Sequence, residues 1–308
     1  MILAAGLGTR LHPHSLLRPK PLFPILGKPL LLRIIDQLRS AGFSSIIVNA
    51  YHLAEQIVAL LADQPDIILQ HEPIELGTGG GLRMALPRFG DEPVLITNGD
   101  IYHDIDYGAV YARHALGGCP ITMVMHDCPR FNKVTVDAGQ VRAFSRSDHK
   151  PGQSDSAAEI LAFTGIHVLH PSVLRGVPPG VFYSIIDRYQ DHLVRGGLIA
   201  SVKADGHFWA DIGTIEDYLD LHRSLLTVGQ PRFCLADGVS IGQNVILDEW
   251  GYVGTGASLA DGVHLSRVVV WDGVAIPKGT SLQDCLVTHA PNPDKLDKSL
   301  SAGFPFRQ

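Results

Sequence analysis

The sequence predicts an α/β protein with a mixed, mainly parallel sheet covered by helices on both faces, followed by a short repeat domain. Two observations predict it. Across residues 1–225, short β-rich runs alternate with amphipathic helical runs, the pattern of parallel strands joined by crossover helices. From Arg232 onward, aliphatic residues return every six positions, the mark of a β-solenoid.

The elements follow in order. Met1 to Ala5 is an apolar run stopped by Gly6. Pro29 to Ala41 carries Leu30, Leu31, Ile34, Ile35 and Leu38 at helical spacing, with Pro29 in its first turn and Gly42 just past its end. Ser45 to Asn49 is a β-branched strand, and His52 to Ala62 is helical, with Ile57, Leu60 and Leu61 on one face. Asp66 to Gln70 and Pro93 to Thr97 are further strands. In a parallel sheet ligands sit at the carboxyl ends of strands, which directs attention to the residues after Ala5, Asn49 and Thr97.

In the repeat region Leu235, Ile241, Leu247, Val253, Leu259 and Leu265 stand six apart. After a slip of one residue, Val270, Ile276 and Leu282 continue the step. Residues 289–308 read as a polar tail. The expected division is therefore 1–228, 232–288 and 289–308. The repeats are expected to support packing and a homo-oligomer rather than chemistry.

Composition excludes several functions. Of 308 residues, 45% are hydrophobic and 18% charged, enough apolar matter for a core and too much for a disordered chain. Asp plus Glu outnumber Lys plus Arg, 31 to 25, so no nucleic-acid partner is expected. The four cysteines form no CxxC pair, which argues against a zinc knuckle and fits a reduced, cytoplasmic protein. No apolar run reaches the roughly 18 residues of a membrane span, and the amino-terminal run has no signal-peptide pattern.

The chemistry-bearing segments begin with Leu3, Ala4, Ala5, Gly6, Leu7, Gly8, Thr9 and Arg10, followed by Arg18-Pro-Lys-Pro-Leu22. Glycines let backbone N–H groups close on phosphate oxygens, and Arg10 and Lys20 bring positive charge. The GxGxxG pattern fails because Leu11 stands at its third glycine. The Walker pattern fails because Lys28 is followed by Pro29. Glu75-Leu-Gly77-Thr78-Gly79-Gly80-Gly81 is a second glycine-rich segment, and Asn98-Gly99-Asp100 ends an apolar strand. Taken alone, Asp100 reads better as a turn aspartate than as a metal ligand; its place at the end of the apolar run Val94 to Thr97, in a predicted parallel sheet, favours the metal reading. Thr214 with Asp217 forms a partial capping box, which releases Asp211 from a capping role.

LAAGLGTRL followed by RPKPLFPILGKPLL resembles the signature of the sugar-1-phosphate nucleotidyltransferases. ELGTGGGL, NGD, Phe163-Thr164-Gly165-Ile166 and Phe208-Trp-Ala-Asp211-Ile-Gly-Thr214 are similar to later segments of that family, in the same order. The resemblance spans residues 1 to about 226. It implies a Rossmann-like catalytic domain and, for the repeats, a left-handed β-helix. The reaction it implies is attack of a sugar 1-phosphate on the α-phosphorus of an NTP, giving an NDP-sugar and pyrophosphate.

In that reading Leu3, Ala4, Ala5, Gly6, Gly8, Thr9, Gly77, Thr78, Gly79, Gly80 and Asn98 bind nucleotide. Arg10 and Lys20 are catalytic cations. Asp100 and Asp211 hold Mg²⁺, and Glu159, Thr164 and Gly165 meet the sugar. Lys150 is a further candidate for the sugar phosphate. A phosphate monoester is mostly dianionic at neutral pH, so no general base is required. The expected reaction is mannose-1-phosphate guanylyl transfer, favoured by the repeat tail. Uridylyl transfer to N-acetylmuramate or another hexose 1-phosphate, a non-catalytic nucleotide-sugar-binding regulator, and a cytidylyltransferase for a non-sugar phosphate are the alternatives.

Overall fold

The computed structural model describes residues 1–145, 158–228 and 232–288. Lys150 and the tail 289–308 lie outside the described residues. The chain forms two compact units. The first comprises Met1–Gly6 and Ile34–Trp209, the second Leu7–Arg33 and the chain from Ala210 onward.

The first unit is organised by a nine-stranded sheet. Its strands are β1 (Ile2–Leu3), β2 (Ile46–Ala50), β3 (Ile67–His71), β4 (Val94–Asn98), β5 (Ile121–His126), β6 (Val134–Asp137), β7 (Gln140–Phe144), β8 (Glu159–Leu169) and β9 (Ala200–Lys203). They lie in the order β3-β2-β1-β4-β8-β5-β9-β7-β6. The half from β3 to β4 is parallel, as the alternation of strands and helices predicts. In the other half β8 runs antiparallel to both β4 and β5, so the sheet is more mixed than expected. A long strand such as β8 carries no sequence mark of direction, since alternation fixes faces and not polarity.

Helix α1 (Leu30–Ser40) buries Leu30, Leu31, Ile34, Ile35 and Leu38, and Gly42 at φ 89 follows its end. The other helices are α2 (Ala54–Leu61), α3 (Gly77–Ala85), α4 (Tyr107–Gly117), α5 (Ile185–Val194) and α6 (Ile215–Thr227). α3 begins at Gly77, so the glycine run lies inside a helix and not in a loop ahead of it. None of the helices is long and apolar enough to cross a membrane, among the described residues.

In the second unit, α6 starts at a complete capping box between Thr214 and Asp217. The repeat region contributes β10 (Phe233–Leu235), β11 (Ser240–Ile241), β12 (Ile246–Val253), β13 (Ser258–Leu259), β14 (His264–Val270), β15 (Ala275–Ile276) and β16 (Ser281–Val287). These form two parallel stacks, β10-β12-β14-β16 and β11-β13-β15. Ser240 pairs with Ser258, and Ser258 with Ala275. The offset is three six-residue steps, then one residue fewer, matching the slip in the sequence. Val253, Leu259, Leu265, Val270 and Ile276 are buried, whereas Leu235 and Ile241 at the start of the series are exposed and Leu247 and Leu282 are half-buried, so the six-residue step marks the interior only in the middle of the repeats.

Candidate active site

The parallel half of the sheet sets the first cluster. Leu3 is in register with Asn49 on one side and Asn98 on the other, so three carboxyl ends lie level. The Ala4 N–H donates to Asn49 Oδ1 at 2.7 Å, and Asn49 Nδ2 donates to Glu72 Oε1 at 2.7 Å. Glu72 is 1% exposed, and burial raises its carboxyl above the ordinary range. A Cβ at Gly81 would stand 2.5 Å from Glu72 Oε1, so only glycine fits there. Gln70 Nε2 donates to the Gly81 carbonyl at 2.9 Å. Gly99 N–H donates to the Leu3 carbonyl at 2.8 Å, joining the NGD turn to β1. Beyond Ala4 and Ala5, Gly6 is exposed and nothing lies within 4 Å of where its Cβ would be, which leaves its backbone approachable.

Sequence reasoning passed over Asn49, Gln70 and Glu72. A polar residue closing an apolar run (Ile46-Ile-Val-Asn49, Ile67-Ile-Leu-Gln70) was the available signal, because such a side chain needs a partner when buried.

Thr78, Gly79 and Gly80 already have partners, and a Cβ at Gly77 would stand 2.9 Å from the Tyr183 carbonyl. The Gly79 and Gly80 N–H groups donate to the Tyr183 carbonyl at 2.8 and 3.2 Å, and Ile185 N–H donates to Thr78 Oγ1 at 3.0 Å. A Cβ at Gly80 would stand 2.6 Å from the Val181 carbonyl. These glycines admit the backbone of residues 181–185 against α3.

The sugar candidates separate. Gly165 has φ 81, and a Cβ there would meet the Asn98 amide at 2.7 Å. Thr164 is fully buried; its hydroxyl donates to the Val124 carbonyl at 2.9 Å, and its own carbonyl accepts Trp209 Nε1 at 3.0 Å. Glu159 begins β8, five residues and roughly 17 Å of extended strand from Thr164. It is ion-paired with Lys203. Asp100 follows Gly99 at the close of the NGD turn.

The second unit holds the other cluster. Gly8, at φ 64, opens a short turn over Thr9, Arg10 and Leu11. Its carbonyl accepts from Ser15 Oγ at 2.8 Å and Leu11 N–H at 2.9 Å. Lys20 Nζ lies 3.1 Å from Asp211 Oδ1, and Arg10 Nη2 3.8 Å from Asp211 Oδ2. The Lys20 and Asp211 side chains are 7% and 13% exposed, that of Arg10 60%. A Cβ at Gly213 would fall 2.7 Å from Asp211 Oδ2 and 2.8 Å from Arg10 Nη1. The missing side chain leaves a cradle where carboxylate and guanidinium face each other.

Carboxylate oxygen is the donor a hard divalent cation takes, and one or two carboxylates with waters are its usual protein share. Asp211 fits that demand. Among the described residues no group of three or more His, Cys, Asp and Glu side chains forms a denser cluster.

Comparison with known proteins agrees with this chemistry. Residues 1–228 match the model of the nucleotidyl transferase family. The chain belongs to that family. A Synechocystis protein named UTP–glucose-1-phosphate uridylyltransferase is 30% identical, over 86% of this chain and 76% of its own length. The Mycobacterium tuberculosis mannose-1-phosphate guanylyltransferase is 26% identical, over 92% and 82%. The Neisseria meningitidis N-acetylmuramate alpha-1-phosphate uridylyltransferase is 30% identical, over 70% and 93%. The crystal structure of HddC from Yersinia pseudotuberculosis has the same fold, with a TM-score of 0.60 and 24% identity over 73% of this chain and 97% of that one. Members of the nucleotidyl transferase family generally use a divalent metal, in keeping with the carboxylate and cations gathered here.

Proposed function

We propose that this nucleotidyl transferase moves an NMP group from an NTP to a sugar 1-phosphate, with mannose 1-phosphate and GTP as the pair. The observation that carries the reading is the Lys20–Asp211 pair beside Arg10, three charged groups set in place within a family whose substrates are polyanions. The guanylyl choice is supported by relatives named for that activity that align over 92–93% of the chain, repeats included. Uridylyl transfer is the second reading, favoured by the two relatives at 30% identity.

Arg10 grips the phosphates that leave as pyrophosphate, and Lys20 offsets charge at the reacting phosphorus. The Ala4 to Gly6 backbone and Asn98 receive the nucleoside. Asp100 and Asp211 are the carboxylates that would hold Mg²⁺, and the bound cation would supply charge neutralisation for the phosphates. Thr164 and Gly165 act through their backbones, Gly165 by shaping the wall beside Asn98. The nucleophile is already ionised, so the protein positions charge and moves no proton.

Residues 1–228 are the catalytic domain in this reading. Residues 232–288 form a left-handed β-helix that favours a homo-oligomer, and the enzyme works in the cytoplasm. Parallel stacks at offsets of three six-residue steps support the helix. The test is pyrophosphate release with Mg²⁺, crossing GTP, UTP, dTTP, CTP and ATP with mannose, glucose, N-acetylglucosamine and N-acetylmuramate 1-phosphates. Turnover with GTP and mannose 1-phosphate is expected. Turnover with UTP alone establishes the second reading, and silence with every pair rejects both.

A further inference from the structure

Residues 7–33, which carry Arg10 and Lys20, fold in the same compact unit as the six-residue repeats. Several of their contacts meet at one repeat residue, Trp271, 3% exposed. The Arg18 guanidinium lies over the Trp271 ring, 4.4 Å from its centroid. Phe23 meets the same ring edge-on at 5.0 Å, and His14 at 6.5 Å. Trp271 Nε1 donates to the Tyr218 hydroxyl at 3.2 Å, and that hydroxyl donates to the Pro24 carbonyl. Next to the ring, His14 Nδ1 lies 3.1 Å from Thr288 Oγ1 at the end of β16.

These contacts bracket Lys20 on both sides, at 14 and 18 before it and at 23 and 24 after it. They also reach its partner, because Tyr218 is on α6, whose cap Thr214 stands three residues after Asp211. One indole therefore touches both the loop bearing Lys20 and the helix that follows Asp211. A cation over an aromatic face and a buried N–H bond are both directional, so the ring fixes orientation as well as burying area.

We propose that Trp271 is a positioning residue for the reaction: it sets the separation of Lys20 and Asp211 from the repeat region without touching substrate. The inference rests on the function proposed above for the Arg10–Lys20–Asp211 cluster. The repeats then have a task inside each subunit, in addition to the assembly role expected from their sequence.

The experiment pairs two readouts on the full chain. Hydrogen exchange of amides 8–28 reports the loop whether or not the enzyme turns over. Pyrophosphate release reports kcat and KM. Trp271→Ala is expected to speed exchange across 8–28 and lower kcat about tenfold or more, the scale on which small misplacements act. KM for the sugar phosphate should stay within a factor of about two. Trp271→Phe, which keeps a ring face, should recover most of both. Arg18→Leu removes the stacked cation without emptying the core, and should reproduce the Ala variant in milder form if that variant fails to fold. Unchanged loop exchange in folded Trp271→Ala or Arg18→Leu overturns the proposal, as does faster exchange with unaltered kcat. A wild-type chain silent with every substrate pair instead defeats the proposed function, and the exchange readout still decides whether Trp271 orders the loop.

Discussion

Asn49 spans the gap between the Ala4 N–H and the Glu72 carboxylate, with 2.7 Å on each side. It ties the backbone after the first strand to a buried acid at the end of the third. Asn49→Ala would leave the Ala4 N–H without its partner, at a cost of about 1–3 kcal/mol, and would take one of several hydrogen bonds from Glu72, which keeps those with Gln70 and the Leu76 backbone. Chemical denaturation should show that loss. Glu72→Gln keeps the shape and can still accept from Asn49, so it should cost less. Equal losses in the two variants would mean that Asn49 matters only as volume.

Lys20 and Asp211 form a nearly buried pair, and removing one member strands the other. Lys20→Met should destabilise the protein by about 3–5 kcal/mol by that route, less whatever Arg10 compensates. It should also reduce kcat by about 10²–10³, the scale of losing one preorganised electrostatic contact. Asp211→Asn should abolish any Mg²⁺-induced rise in melting temperature. Retention of that rise would move the cation away from Asp211.

Gly165 is fixed by conformation and by space. Gly165→Ala places a Cβ at positive φ and against the Asn98 amide. Strain of about 1–2 kcal/mol and overpacking of about 1–3 kcal/mol are expected together. KM for the NTP should rise, since Asn98 must move. A variant with normal stability and normal KM would show that β8 yields easily around Gly165.

Acid should weaken the fold through buried histidines. Burial holds His14, His103 and His222 down at about 4 and His167 at about 3. His222 Nε2 accepts the Leu26 N–H, so its proton sits on Nδ1 and points to the Tyr218 carbonyl. Groups with lowered folded pKa contribute stability that is whole above the unfolded value near 6.5 and is lost as pH falls through 4. Urea titrations from pH 7 to 4 should show a steep decline, each histidine adding up to about 1.4 kcal/mol per pH unit. His222→Phe, if folded, should flatten the slope by one proton.

Much of this was legible beforehand. The strands ending near Ala5, Asn49 and Thr97, helix α1 and the Thr214 cap follow from local pattern, because periodicity and capping are short-range physics. The six-residue step also survives, down to its one-residue slip. What escaped depends on distant partners. The stretch Gly77 to Gly80 has the composition of a phosphate loop. Only the folded chain shows residues 181–185 laid against it. Glu159 looked available until Lys203 arrived beside it from another strand. Trp271 sits among repeats whose rhythm gives no hint that a loop from the first tenth of the chain stacks on it.

The chain changes unit three times, at Gly6, Arg33 and Trp209. For heredity this is a constraint. A single crossover in the gene cannot exchange one unit for a relative's, because each unit is encoded in two separated stretches. A graft of new repeats would have to bring residues 7–33 with it, or inherit a signature loop shaped for a different floor. Substitutions in residues 7–33 and in the repeats are therefore expected to depend on one another.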